Sequence, residues 1–460
     1  MKLSKTTANR IGLDTVLDRL EPQSPYGRRA KKNLHPLEKA ELFCAFDDLR
    51  AMMTAIKNEP AAFLQLESEL AHFFEARSSV NNVLKTAASD VDFFELKRYL
   101  LSWNALSKKL QTLNPLKGLF TRELGGALKI LDPEGMGIVT FVIDSQELRE
   151  VRRKKACAGA EERSEYAEKE ERLEREQRAR LCKDLQPHCG DILKSMAALE
   201  RFDLTLAKAM LAIRDGAVIP EFNDSEGIEL VGMTNPRVGE ELERSNRSFC
   251  PITLSAVRGC TVITGANMGG KSVALMTLAL NVCLAHMGIA VYAERAVLPY
   301  IDELCYIGAD GAAQESGLSS FAMEVRSWNE ALRLAQDSEL SLLIFDEPAR
   351  GTNPHEGAAI ARGLCRYGER LRSITVIATH YDGVSEHADA SYRIAGLKPV
   401  DAEQIRAYGA QTIAENMDYS LICESRGAEV PRDAMRICEL MGMPKELIDL
   451  IKDGEDSTIS

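Results

Sequence analysis

A chain of 460 residues is longer than one ordinary hydrophobic core fills, so two or three domains are expected. With 45% hydrophobic and 27% charged residues it has a globular composition, and no apolar run reaches the roughly 18 residues a membrane-spanning helix needs. The net charge of −12 argues mildly against a surface covered in nucleic-acid contacts, although a local basic groove is compatible with it.

The first residues, Met1 to Thr7, carry charges with no apolar segment behind them, so no secretory signal is expected. The 11 cysteines include no C-x-x-C pair, and His188, Cys189 and Cys182 lack the second pair of a metal cluster. Reduced, buried thiols and a cytoplasmic protein are the expectation. Residues 1 to about 110 read as helical. Leu42, Phe43, Phe46, Leu49, Met53 and Ile56 recur at helical spacing, as do Phe63, Leu66, Leu70 and Phe73, and another helix starts at Asp92. Arg28, Arg29, Lys31 and Lys32 form a small basic cluster that is expected to be solvated. Between about 114 and 143 glycines punctuate short apolar pieces, and Gly137 to Ile143 predicts a strand in a small β-containing insertion.

Glu161 to Arg180 holds eight acids and six bases without Gly or Pro, with Tyr166, Leu173 and Ala179 among its few apolar-leaning positions. Such a helix projects into solvent or forms a thin coiled-coil arm. Apolar spacing resumes at Ile192, Met196, Leu199, Phe202, Leu206 and Met210, so one long charged helix is expected over about 150–213. The helical texture stops near Arg214. A helical domain over 1–220 and an α/β domain over 221–460 are therefore predicted.

The second half carries the chemistry. Gly265, Gly270, Lys271 and Ser272 fill G-x-x-x-x-G-K-[ST] around Ala266, Asn267, Met268 and Gly269. The β-branched run Cys260–Ile263 precedes this turn and an apolar helix comes after it. A strand feeding a helix through a glycine-rich turn aims backbone N–H groups at one point, where the helix dipole adds positive potential, and phosphate binds there. Lys271 would reach the β/γ-phosphates of ATP and the Ser272 hydroxyl would ligate Mg²⁺. An apolar strand, Leu340 to Phe345, ends in Asp346 and Glu347, the first suited to hold Mg²⁺ and the second to deprotonate the attacking water. A second strand, Ile374 to Ala378, ends at Thr379 and His380, placing an imidazole for the γ-phosphate or the lytic water.

The segments Thr264–Ser272, Asp346–Thr352 and Ala378–Tyr381 together resemble the ATPase core of the MutS mismatch-repair family, a relative of the ABC ATPases. The resemblance spans about 228–452; residues 1–220 resemble the family's helical core and lever arms only weakly. It implies an α/β P-loop ATPase domain preceded by a mostly α-helical core and lever domain with a long arm. Ser319 and Ser320 fall in a segment resembling the one that reaches a partner subunit's nucleotide, although they could instead cap their own helix with Glu324 nearby. Phe249 stands where the family stacks a side chain near adenine, and 431–452 resembles its dimerisation element, so a homodimer is implied. The family's Leu-Gly after Asp-Glu is Pro348-Ala349 here, and its Ser-Thr-Tyr-Asp-Gly is Asn353 to Gly357. Counterparts of its mismatch-reading domain, connector and nuclease domain are not expected. Phe73, Phe74, Phe93 and Phe94 are read as core rather than as a base wedge. The resemblance implies one of two functions: an ATP-dependent DNA-binding clamp on duplex or branched DNA, or an ATP-driven reactivating factor for a cobalamin-dependent lysine or ornithine aminomutase.

Overall fold

The computed structural model describes residues 5–113, 116, 119–120, 124–137, 143, 145–224, 227–265, 270–308, 320–398, 417–424, 438–439 and 442–456. The chain opens with α1 (Lys5–Ile11), α2 (Leu13–Asp18), α3 (Pro25–Lys32), α4 (Lys39–Asn58), α5 (Pro60–Ala71), α6 (Arg77–Leu84) and α7 (Asp90–Leu113). Then come α8 (Gly125–Leu131), α9 (Gln146–Cys157) and α10 (Ala160–Asp215). Two compact units result: one of residues 20–34 and 44–211, the other of 1–19, 35–43 and 212–460. Sequence texture places residues 5–19 with the other helices; tertiary packing places them with the second unit. Their contacts are long-range and leave no local signature.

The helical unit is built on aromatic side chains. Tyr99 and Trp103, one turn apart on α7, stack with centroids 6.5 Å apart, and Trp103 and Phe202 both lie against Phe120 at 5.2 Å. Buried Asp203 accepts hydrogen bonds from the backbone N–H groups of Gln23 and Ser24 and from the Ser24 hydroxyl, fastening the start of α3 to α10. Phe63, Leu66, Leu70, Phe73 and Phe93 are buried as expected. On α4, however, Met52 rather than Met53 is fully buried and Phe43 is exposed. Phe74 is also exposed, with the Arg98 guanidinium 3.5 Å from its ring centroid, so it is a surface cation–π partner and not core.

The charged arm is a helix pair. Arg152 of α9 donates to Glu170 and Glu174 of α10 at 2.9 Å each, and Lys155 donates to Glu170 at 2.8 Å. Beneath these pairs Leu148 and Val151 meet Leu173, with Tyr166 and Leu181 at the margin. The single long helix expected from about 150 is therefore two elements separated at Ala158 and Gly159. Within the expected β-containing insertion, α8 is a helix; residues 138–142 of the expected strand lie outside the described residues.

The second unit holds β1 (Glu221–Phe222), β2 (Gly227–Met233), α11 (Pro236–Glu243), β3 (Ile252–Val257), β4 (Gly259–Thr264), α12 (Lys271–His286), β5 (Arg295–Leu298) and β6 (Glu303–Gly308). It continues through α13 (Ser320–Asp337), β7 (Ser341–Asp346), α14 (Pro354–Gly368), β8 (Ser373–Thr379), β9 (Ala390–Leu397) and β10 (Met417–Glu424). One sheet has the order β1-β5-β2-β3, the other β10-β9-β4-β8-β7-β6. From β9 to β6 the larger sheet is parallel, and β10 adds antiparallel to β9. Strands β4, β7 and β8 are buried at every residue, which is why they read as continuous apolar runs rather than alternating ones. The register of these strands aligns their C-terminal ends. Thr264 pairs with Thr379, Asp346 with Ala378 and Gly308 with Asp346, so four strands end along one edge of the sheet. Among the described residues, no helix is long and apolar enough to cross a membrane.

Candidate functional site

At that edge the turn after β4 leads into α12. Gly265 has φ +140° and Gly270 φ +86°, values that favour glycine. A Cβ on Gly265 would lie 3.2 Å from the Ile394 side chain, and one on Gly270 would lie 3.0 Å from the Tyr419 ring. Ala266, Asn267, Met268 and Gly269 lie outside the described residues. Helix α12 is buried on nearly every face, so its N-terminus is rigidly placed.

Lys271 opens that helix. Its ammonium donates to the Gly265 carbonyl at 2.6 Å and lies 3.3 Å from Glu347 Oε1. Burial pulls the Lys271 pKa below its ordinary value, while Glu347 and then Asp346 oppose the shift. The Ser272 hydroxyl donates to Asp346 Oδ1 at 2.8 Å. Glu347 also faces Arg350 at 3.6 Å and His380 Nδ1 at 3.9 Å. That last distance exceeds a hydrogen bond. His380 Nδ1 is buried without a hydrogen-bond partner, and burial lowers its pKa, with Glu347 opposing.

Glu347 and Ala349 both have positive φ, +53° and +63°, which costs a residue with a Cβ about 1–2 kcal/mol. The turn is clamped from two sides. The Ala349 N–H donates to Glu324 of α13 at 3.0 Å, and its carbonyl accepts from the Tyr381 hydroxyl at 3.1 Å. Glu324 is thus engaged with this turn. Ser320 begins α13, and Ser319 lies outside the described residues.

A cleft of about 640 Å³ is lined by Lys271, Ser272 and Glu347 together with Val238, Leu242, Phe249, Asp418 and Tyr419. Phe249 is therefore brought to the same cleft as the glycine turn, from the segment between α11 and β3. Four contributors carry no sequence motif: Arg10, Tyr306, Glu324 in its clamp role, and Tyr419. Tyr306, near the end of β6 beside β7, is the one that strand order could have found. Of the stretch 431–452, most residues before 442 lie outside the described ones, and Lys445–Asp456 is a helix with Leu447 and Leu450 exposed.

The residues present fit a magnesium–nucleotide. Both glycines leave space that a Cβ would fill, a buried ammonium faces the cradle, Ser272 and Asp346 are hard oxygen donors, and His380 carries an unpartnered nitrogen. A buried ammonium, a hydroxyl–carboxylate pair and a second carboxylate thus meet at one end of a parallel sheet, a donor set of the kind that suits a phosphate-bearing ligand.

Comparison with known proteins narrows this class. Residues 261–455 match the family model described as MutS domain V. The DNA mismatch repair protein MutS of Streptococcus suis (strain 98HAH33) is 29% identical over 287 residues, covering 62% of this chain and 32% of that protein. The protein of the same name from Shouchella clausii (strain KSM-K16) is 29% identical over 268 residues, 58% of this chain and 29% of its own length. The chain spans about a third of the length of the curated relatives it matches. The matched stretch takes in the strands and turns that carry Lys271, Asp346, Glu347 and His380, and the similarity agrees with the resemblance read from the motifs.

Proposed function

We propose that the chain binds and hydrolyses ATP with Mg²⁺ as a MutS-type homodimer whose nucleotide state governs its hold on DNA. The observation that carries the reading is the convergence of Lys271, Ser272, Asp346, Glu347 and His380 on one sheet edge beside the cleft. Lys271 exchanges its contacts to Gly265 and Glu347 for phosphate oxygens, and the released Glu347 takes the proton of the attacking water. Ser272 and Asp346 hold the magnesium, which neutralises phosphate charge when bound. His380, with no internal partner for Nδ1, donates to or accepts from the phosphate or water. Phe249 packs against the base, and Ser319 and Ser320 cap the phosphate of a second subunit. Purified chain should turn over ATP in magnesium and stop in excess chelator; turnover unchanged by chelation would refute the site.

The DNA half is tested by salt. Binding through phosphates weakens steeply as salt rises. Duplex, single-stranded and branched DNA that all fail to bind even at low salt would remove it. A second reading, a protein partner in place of DNA, draws on one observation: some bases of the arm are spent on acids within the unit, as in Arg152 with Glu170 and Glu174 and Arg178 with Asp90.

A further inference from the structure

The N-terminal helix places a cation on the metal-side carboxylate. Asp346 is only 4% exposed, and its Oδ2 accepts from the Tyr306 hydroxyl at 2.9 Å and from Arg10 Nη2 at 3.3 Å. Arg10 also lies over the Tyr306 ring, 5.3 Å from its centroid. Space for it exists because residue 308 is glycine: a Cβ there would lie 2.8–3.0 Å from the guanidinium. The helix bearing Arg10 is tied to α11 as well. Arg237 donates to the carbonyls of Asn9 and Arg10, and the Asn235 amide donates to the Ile11 carbonyl at 3.0 Å. Asn235 caps α11, whose Val238 and Leu242 line the cleft.

We infer that Arg10 is a positioning residue that sets the magnesium affinity of the Ser272–Asp346 pair, and that through it α1 responds to magnesium–nucleotide binding. Ser272 already fixes Oδ1 and Tyr306 already fixes Oδ2, so the carboxylate keeps two hydrogen-bond anchors without Arg10. What Arg10 adds is a full positive charge. A guanidinium against the carboxylate offsets the negative potential that would attract a dication, so metal binding works against it. Linkage makes the effect reciprocal: magnesium–nucleotide must weaken the Arg10 contact by the same factor. The tie to α11 then relays a change at the metal side to Val238 and Leu242, which line the same cleft as Lys271.

The inference rests on the nucleotide reading, and a binding experiment separates the two. A hydrolysis-resistant ATP analogue is titrated onto the full chain at increasing MgCl2, comparing wild type with Arg10→Gln, Arg10→Lys and Gly308→Ala. Arg10→Gln keeps donors but loses charge, and should lower the half-saturating magnesium by roughly three- to tenfold, a modest factor because Arg10 is partly exposed and screened. Arg10→Lys should stay near wild type. Gly308→Ala, which only pushes the flexible guanidinium aside, should move in the direction of Arg10→Gln and serves if that variant folds poorly. Hydrogen exchange of residues 5–11 should quicken with magnesium–nucleotide relative to nucleotide in chelator. An unchanged or higher magnesium requirement in Arg10→Gln, or equal shifts in Gln and Lys variants, overturns the inference while leaving the site intact. Absence of nucleotide binding by the wild type overturns both.

Discussion

Replacing Glu324 by alanine tests whether the turn after β7 is held under tension for function. The Glu324 carboxylate, raised above its ordinary pKa by burial, accepts the N–H of Ala349, which is fully buried, 3.0 Å away. Removing the acceptor leaves a buried N–H unsatisfied, at a cost of about 1–3 kcal/mol. Glu324→Gln keeps a carbonyl acceptor and loses the charge assistance, so about half that cost is expected. The turn also carries the positive φ of Glu347 and Ala349, and losing Glu324 removes one of the contacts that oppose its relaxation, alongside the Tyr381 hydroxyl and the Glu347 N–H to Ala378 carbonyl bond at 2.9 Å. Relaxation would shift the Glu347 carboxylate, and displacements near 1 Å can cost on the order of 100-fold in rate. Denaturant melts, analogue affinity and ATP turnover should be measured side by side. The expected pattern is lower stability and a fall in turnover of roughly 10- to 100-fold, with analogue affinity little changed. Wild-type turnover and stability in Glu324→Ala would refute the clamp.

The same geometry gives two further expected outcomes. His286 is buried, donates from Nδ1 to the Val282 carbonyl at 2.8 Å and accepts from the Ile301 N–H at Nε2 at 2.9 Å, and burial lowers its pKa to about 4. Because the folded value lies below the unfolded value of about 6.5, stability is full above pH 6.5 and is lost as pH falls toward 4, by about 3 kcal/mol at most. Denaturation from pH 7 to 4 should show that slope in wild type and not in His286→Gln; parallel curves would contradict it. Ser319→Ala should retain nucleotide affinity and lose turnover, and mixing it with Lys271→Ala should restore one composite site per heterodimer. No recovery on mixing, with a lowered melting temperature for Ser319→Ala, would favour the helix cap.

The strand ending at Thr264 and the helix opening at Lys271 were legible because their requirements are local: β-branched residues, glycines at 265 and 270 where a Cβ will not fit, an apolar helix. Asp346 and Glu347 were legible for a related reason, as polar residues ending an all-apolar run. Arg10 was not, since the residue it serves lies 336 positions away and α1 is only seven residues long. The pairing of α9 with α10 was hidden by composition: the stabilising seam is a handful of apolar residues beneath ion pairs, and a mixed-charge helix looks alike whether or not its charges have partners. Phe74 shows the converse error, since periodicity cannot distinguish a core aromatic from one covered by an arginine.

Paired substitutions of Lys271 and Glu347 test most directly whether this sheet edge binds and cleaves ATP. Lys271→Ala removes the cation facing the phosphates, and Glu347→Gln removes the base while leaving Ser272 and Asp346 in place. Equilibrium binding of labelled ATP in magnesium, with single-turnover cleavage of the bound nucleotide, should show no binding for Lys271→Ala. Glu347→Gln should bind with near-wild-type affinity and leave the nucleotide uncleaved. Cleavage by Glu347→Gln at the wild-type rate would contradict the assignment of the base and, with it, of the site.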